Sequence, residues 1–130
     1  KPSITQKRLY EGKLFGRKCN RGYYDYKNSN QPHPSLDGNL HNQIFDRIFA
    51  MLVNEAADAL MMGIATAADI ETAMTKGVNY PQGLLAWANK RGLRTVYNKL
   101  DDLFAYYGED RYRVCPLLRK LALNDEMFRI

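Results

Sequence analysis

The chain has 130 residues, 45% of them hydrophobic and 25% charged, with nineteen Lys and Arg against fourteen Asp and Glu for a net charge of +5. That length supports one hydrophobic core, and no apolar run is long enough for a helix to cross a bilayer, so a soluble cytoplasmic protein is expected. The charge excess is too modest to identify a polyanionic partner, and Cys19 and Cys115 are too few and too far apart for a zinc site or a disulfide framework, which leaves two reduced thiols.

The chain opens on "KPSITQKRLYEG", without a methionine, and reads as the middle of a longer protein. Ile4, Leu9 and Tyr10, followed by Gly12 and Gly16, predict a short helix within residues 3–12. Next comes "GRKCNRGYYDY", residues 16–26, which sets Arg17, Lys18 and Arg21 against Tyr23, Tyr24 and Tyr26. This starts like an aromatic RNA-binding signature. The match fails because Tyr24 stands where Gly or Ala is needed and Asp25 where an aromatic ring should stack, so no nucleic-acid partner is expected. Residues 27–39, "KNSNQPHPSLDGN", have the composition of a linker.

From Leu40 to Met62 there is no Pro or Gly. Ile44, Phe45, Ile48, Phe49, Leu52, Val53, Ala56 and Leu60 recur at three- and four-residue spacing, which predicts a long central helix with a broad apolar stripe. Gly63 stops it, and Thr66 is the candidate N-cap of a second helix running to about Gly77, with Asp69 and Glu71 in its first turn. "VNYPQG" is a turn, followed by a short helix, "LLAWANKR", closed by Gly92. Val96, Tyr97, Leu100, Leu103 and Phe104 form one face of a helix from about Leu93 to Tyr107, ended by Gly108, and Pro116 opens a last helix through Leu121. Nothing after residue 26 alternates with period two. The predicted fold is all-α: a bundle of five or six helices joined by short loops around one long central helix.

No catalytic, cofactor-binding or metal-binding set emerges from these residues. No two glycines have G-x-G spacing, and no His, Cys, Asp and Glu cluster has ligand spacing. The two histidines, His33 in the linker and His41 at the start of the central helix, are read as facing solvent. Glu55 breaks its local pattern, sharing a helical column with Met51, Leu52, Ala59 and Met62. Two readings stand: it bends to solvent or meets an arginine, or it is a buried partner at a helix interface. Arg47 and Arg111 are the arginines named for it. Glu55, Asn54, Arg47 and Arg111 are the structural or interface candidates.

Four segments in order, "GRKCNRGYYDY", "MLVNEAADALMMGIATAADIETAM", "GVNYPQGLLAWANKRGL" and "YGEDRYRVCPLLRKL", resemble landmarks of the helical C-terminal domain of L-3-hydroxyacyl-CoA dehydrogenases. The resemblance implies a fold of the type found in the C-terminal domain of 6-phosphogluconate dehydrogenase. Because the first landmark closes the helical domain in single-copy members, residues 1–26 resemble the tail of a preceding copy, residues 27–39 a linker and residues 40–130 a second copy. "KPSITQKRL" at 1–9 and "RVCPLLRKL" at 113–121 share a basic first position, two adjacent basic residues and a final Leu, in keeping with that layout. The layout is similar to the two-copy enzymes of the phenylacetate-degradation or 3-hydroxybutyryl-CoA dehydrogenase type.

The resemblance implies NAD-dependent oxidation of a 3-hydroxyacyl-CoA to the 3-oxoacyl-CoA in the parent enzyme, with the NAD-binding and catalytic residues in a Rossmann domain and first helical copy upstream. The fragment itself is expected to be inactive and to hold no cofactor. Departures from the family pattern are Asp46 for an Asn that reaches toward substrate, Asn20 for a Gly, Leu84 for a Pro and Asn89 for an Asp. These suit a copy that packs rather than catalyses, and a homodimer through the central helix is expected of the isolated chain. Lys13, Arg17, Lys18 and Arg21 are read as solvated cations, with the phosphates of coenzyme A as the sharper alternative. The competing functional reading is a free-standing helical interaction module without redox chemistry.

Overall fold

Six α-helices organise the computed structural model, which describes residues 3–28 and 37–130; the chain divides into two units between Leu36 and Asp37. The described residues contain no β-strand, only isolated bridges between Gly16 and Arg21 and between Arg21 and Asp25.

The first unit holds helix α1, Ile4–Glu11, and a tight loop over residues 16–26. The loop winds around Cys19, whose thiol sulfur accepts from the Phe15 N–H at 3.0 Å and donates to the Arg21 carbonyl at 3.0 Å. Asn20 sits in the left-handed region at φ 58°, a conformation Asn tolerates better than most side chains and Gly adopts freely, which accounts for the family's Gly at this position. Gly22 faces the backbone of Gly16 so closely that a Cβ there would lie 2.9 Å from it. Tyr23, Tyr24 and Tyr26 are exposed, because the described part of this unit offers one two-turn helix and no buried residue against which they could pack.

In the second unit the central helix, α2, spans Gly38–Met61. It begins before the predicted Leu40 because the Asp37 carboxylate caps it, accepting from the N–H groups of Asn39 and Leu40 at 2.9 and 3.3 Å, so the last linker residues are helical. The rest of the linker, residues 29–36 with His33, lies outside the described residues. Helix α3, Ala67–Thr72, opens on a capping box in which Thr66 and Asp69 satisfy each other's backbone, and a wider π-type turn, Ala73–Gly77, carries it to its predicted end. Helices α4, Leu84–Arg91, α5, Leu93–Tyr107, and α6, Pro116–Leu123, fall where the sequence puts them.

Helix α2 packs against α4, α5 and α6 around one core. Ala50, Ala57, Ala88 and Ala122 are buried in that core. Val53, Leu85, Leu100 and Leu118 fill the space between them and are fully buried. The C-terminal tail is tied down by Asn89 of α4, whose side chain donates to the Phe128 carbonyl and accepts from the Phe128 N–H, each at 2.9 Å. An aspartate, the residue of the family pattern, could accept but not donate here. We expect Asn89→Asp to destabilise the fold by about 1–2 kcal/mol in urea melts and to increase proteolysis after Leu123, with Phe128 released from the core. A melt unchanged within 0.5 kcal/mol, on the scale of ordinary surface substitutions, would reject the clamp.

Candidate functional site

The apolar stripe of α2 is not buried evenly. Its middle, from Phe49 to Ala57, belongs to the core, whereas Leu40, Ile44, Phe45 and Ile48 remain exposed, Ile48 at 54%. Beside them stands Trp87 of α4. The Phe45 and Phe49 rings stack nearly parallel with centroids 5.6 Å apart, and Trp87 packs 5.6 and 5.0 Å from them. Phe45, Ile48, Leu52, Tyr80, Pro81 and Trp87 line an open groove of about 280 Å³. An exposed apolar groove with a charged rim is the signature of an interaction surface.

Arg91 forms that rim. Its guanidinium carbon lies 5.2 and 5.4 Å from the centres of the Phe45 and Phe49 rings, and Nη2 reaches Asp46 Oδ1 at 2.6 Å. Both side chains are partly exposed, so the pair adds only about 0–1 kcal/mol to stability, but it fixes where the rim stands. It also engages the carboxylate at the position where the resemblance calls for an Asn directed at substrate.

On another side of α2, Arg47 reaches α5 and the turn that follows it. Its guanidinium lies over the rings of Tyr107 and Tyr112, at 4.7 and 5.2 Å, and donates to both phenol oxygens. The hydrogen bond to Tyr112 is the main cause of a pKa raised above the ordinary arginine value, against the opposing effect of burial. Asn54, about two turns further along α2, is buried and holds the backbone of residues 113–115: it donates to the Arg113 carbonyl at 3.0 Å and accepts from the Cys115 N–H at 2.8 Å. Burial pushes the Cys115 thiol pKa up.

The four candidates therefore separate. Arg47 and Asn54 both connect α2 to the segment leading into α6. Arg111 lies in that segment but pairs with its neighbour Glu109, at 2.6 Å. Glu55 is exposed and, among the described residues, meets neither arginine; the column it shares with Met51, Leu52, Ala59 and Met62 runs from half-buried to exposed, so apolar composition there does not mean core. Of the solvated candidates, Lys13, Arg17, Lys18, Arg21 and His41 are all exposed, with Arg17 resting 5.9 Å over the Tyr26 ring. Residues missed by sequence reasoning are Trp87 and Arg91 at the groove and Tyr107 and Tyr112 around Arg47. The signal for the first pair was the only tryptophan of the chain, one helical turn before an arginine.

Comparison with known proteins places these features in a family context. The family model described as "3-hydroxyacyl-CoA dehydrogenase, C-terminal domain" matches residues 44–129. Among characterised sequences, the chain is 52% identical over 77 residues to the 3-hydroxyadipyl-CoA dehydrogenase of Escherichia coli (strain K12), covering 59% of the chain and 16% of that protein. It is 36% identical over 77 residues to the probable 3-hydroxybutyryl-CoA dehydrogenase of Bacillus subtilis (strain 168), covering 59% of the chain and 27% of the relative. Among solved structures, 3-hydroxybutyryl-CoA dehydrogenase from Escherichia coli K12 superposes with a TM-score of 0.70 at 26% identity, over 95% of the chain and 44% of that structure. The chain thus spans less than half the length of each of these relatives, from 16% to 44%.

Proposed function

Because the chain belongs to the 3-hydroxyacyl-CoA dehydrogenase C-terminal domain family, we propose that it serves as the helical packing domain of an NAD-dependent enzyme that oxidises a 3-hydroxyacyl-CoA to the 3-oxoacyl-CoA in the cytoplasm. The observation that carries this reading is the family match over residues 44–129, joined to an α2 whose apolar face is only half covered. Family membership supports this reading over a free-standing interaction module without redox chemistry.

The chain's residues do not fit NAD. Dinucleotide binding calls for a glycine-rich turn between a strand and a helix, and the described residues contain neither a strand nor G-x-G spacing, so no hydride-transfer step is routed through them. The proposal assigns cofactor and acid–base chemistry to a preceding Rossmann domain. It assigns to this chain the burial of Phe45, Ile48 and Trp87 against a helical partner: a sibling copy in the parent, a second molecule when the chain is alone.

Two results follow. The isolated chain should form a homodimer in light scattering at micromolar concentration, and Ile48→Asp should weaken that association by about 100-fold, because an isologous interface buries the substituted position twice. A monomer across that range would remove the packing role. The isolated chain should show no NAD reduction with a 3-hydroxyacyl-CoA, while the gene product that contains it should be active; turnover by the chain alone would contradict the placement of the chemistry.

A further inference from the structure

Helices α1 and α6 are built to one template. Each is eight residues long, and each is preceded by an extended residue, Ser3 at φ −58°, ψ 135° and Cys115 at φ −55°, ψ 132°. Each ends in a residue with ψ near zero, Gly12 at φ −75°, ψ 2° and Asn124 at φ −94°, ψ 3°. The next residue is left-handed in both although neither is glycine: Lys13 and Asp125 both have φ 55°. The hydrogen bonds keep the same register. Lys7 donates to Ser3 as Arg119 does to Cys115, Gly12 to Arg8 as Asn124 to Lys120, and Leu14 to Leu9 as Glu126 to Leu121. A left-handed conformation costs a side-chain-bearing residue about 1 kcal/mol or more, so its recurrence in one register marks a repeated element rather than two unrelated turns. The register is that of the sequence match between residues 1–9 and 113–121.

What α6 does shows what α1 is for. In α6 the residues Leu118, Leu121 and Ala122 are buried, and the helix packs on α2 and α5. Their equivalents in α1 are Gln6, Leu9 and Tyr10, of which Tyr10 is 73% exposed. Together with Leu14, Phe15 and Tyr26 these three line an open concavity of about 300 Å³. The face that completes a core in α6 is left largely open in α1, with Gln6 and Tyr10 exposed and Leu9 half-buried.

We propose that residues 3–26 dock through Gln6, Leu9 and Tyr10 onto a helix pair equivalent to α2 and α5 in a helical copy that precedes this one in the parent chain, closing its core as α6 closes the core here. The inference rests on the family reading above and adds the surface and the identity of its partner. The partner is not the α2 and α5 of a second molecule of this chain. In that seat Ala122 is 1% exposed and Leu118 fully buried, so a phenol ring would have to replace a methyl group and a primary amide would have to replace an isobutyl group. Overpacking and an unpaired buried amide both oppose that exchange. The seat for α1 therefore has a hollow opposite Tyr10 and a hydrogen-bonding group opposite Gln6.

Hydrogen exchange on the complete gene product and on residues 1–130 tests the docking. The amides from Lys7 to Leu14 should exchange about 100-fold more slowly in the complete protein, since local opening there would then require undocking. The α2 and α5 amides should be the same in both. Leu9→Asp in the complete protein should abolish the added protection and leave α2 protected. Equal exchange of Lys7–Leu14 in the two proteins overturns the docking, even where the complete protein is an active dehydrogenase. Protection already present in residues 1–130 that grows with concentration assigns the face to a second molecule and overturns it as well. Slowed exchange in a complete protein without dehydrogenase activity upholds the docking and rejects the enzymatic reading.

Discussion

Replacing Asn54 by leucine should destabilise the second unit by about 2–5 kcal/mol, the largest loss expected from any single polar side chain of the described residues. Asn54 is 3% exposed, the one polar residue of the core among those described. Its amide performs two tasks at once, donating to Arg113 and accepting from Cys115, and so does for the loop entering α6 what a neighbouring strand would do. Leucine fills a similar volume but leaves the buried Cys115 N–H and the partly buried Arg113 carbonyl without this partner, an orphaned buried group costing about 1–3 kcal/mol. Asn54→Asp should be no better, because it loses the donor and brings an uncompensated charge. Urea melts should show a lowered midpoint with an unchanged slope. Cys115, buried in the native protein, should then react faster with a thiol reagent as the loop loosens, while the exposed Cys19 reacts at the same rate in both proteins. A change in stability below 0.5 kcal/mol, the level of an ordinary surface substitution, would show that the clamp is ornamental.

The second large effect concerns Gly83. Glu71 of α3 lies over the N-terminus of α4, where its carboxylate accepts from the Leu85 N–H at 2.8 Å and from the Ala86 N–H at 3.3 Å. A side chain from another helix thus does the work of an N-cap, satisfying two of the free N–H groups and placing negative charge at the positive end of the helix dipole. The carboxylate sits against the Cα of Gly83, and a Cβ at that position would collide with it. Gly83 has φ −68° and ψ 151°, a conformation open to any residue, so the need for glycine is one of space alone. Gly83→Ala should cost about 1–3 kcal/mol by displacing the cap, and Glu71→Ala about 1–2 kcal/mol by removing it. In the Glu71→Ala background the same Gly83→Ala change should be close to neutral. That non-additivity identifies the mechanism: additive losses in the double variant would mean that Gly83 is required for some other reason.

These two sites show where sequence reasoning stops. Glu71 was legible as a favourable charge in the first turn of its own helix, whereas the structure uses it to cap the next one. Asn54 and Glu55 stand side by side in the sequence, and the apolar column drew attention to Glu55. A rotation of about 100° along the helix separates the residue that enters the core from the one that faces water, and the broad apolar stripe of α2 does not mark which is which. The Asp46–Arg91 pair and the Arg47–Tyr107–Tyr112 cluster were illegible for a related reason, since each joins helices far apart in the chain whose crossing decides who meets whom.

What the sequence determined by itself is local and periodic. Gly63, Gly92 and Gly108 are left-handed or otherwise positive in φ, Thr66 with Asp69 forms a box within four residues, and Pro116 opens α6; such signals act over one helical turn and need no knowledge of the rest of the fold. Six helices and their order follow from them, and the four family landmarks followed from the same residues. The tertiary structure alone decided that the apolar stripe of α2 divides into a buried middle and an open groove beside Trp87. It alone decided that asparagines at 54 and 89 clamp distant backbone, and that α1 repeats the geometry of α6 while leaving the corresponding face open. Each of these depends on contacts between residues brought together only by folding, whose loop-closing cost and packing geometry are set by the whole chain rather than by any window of it.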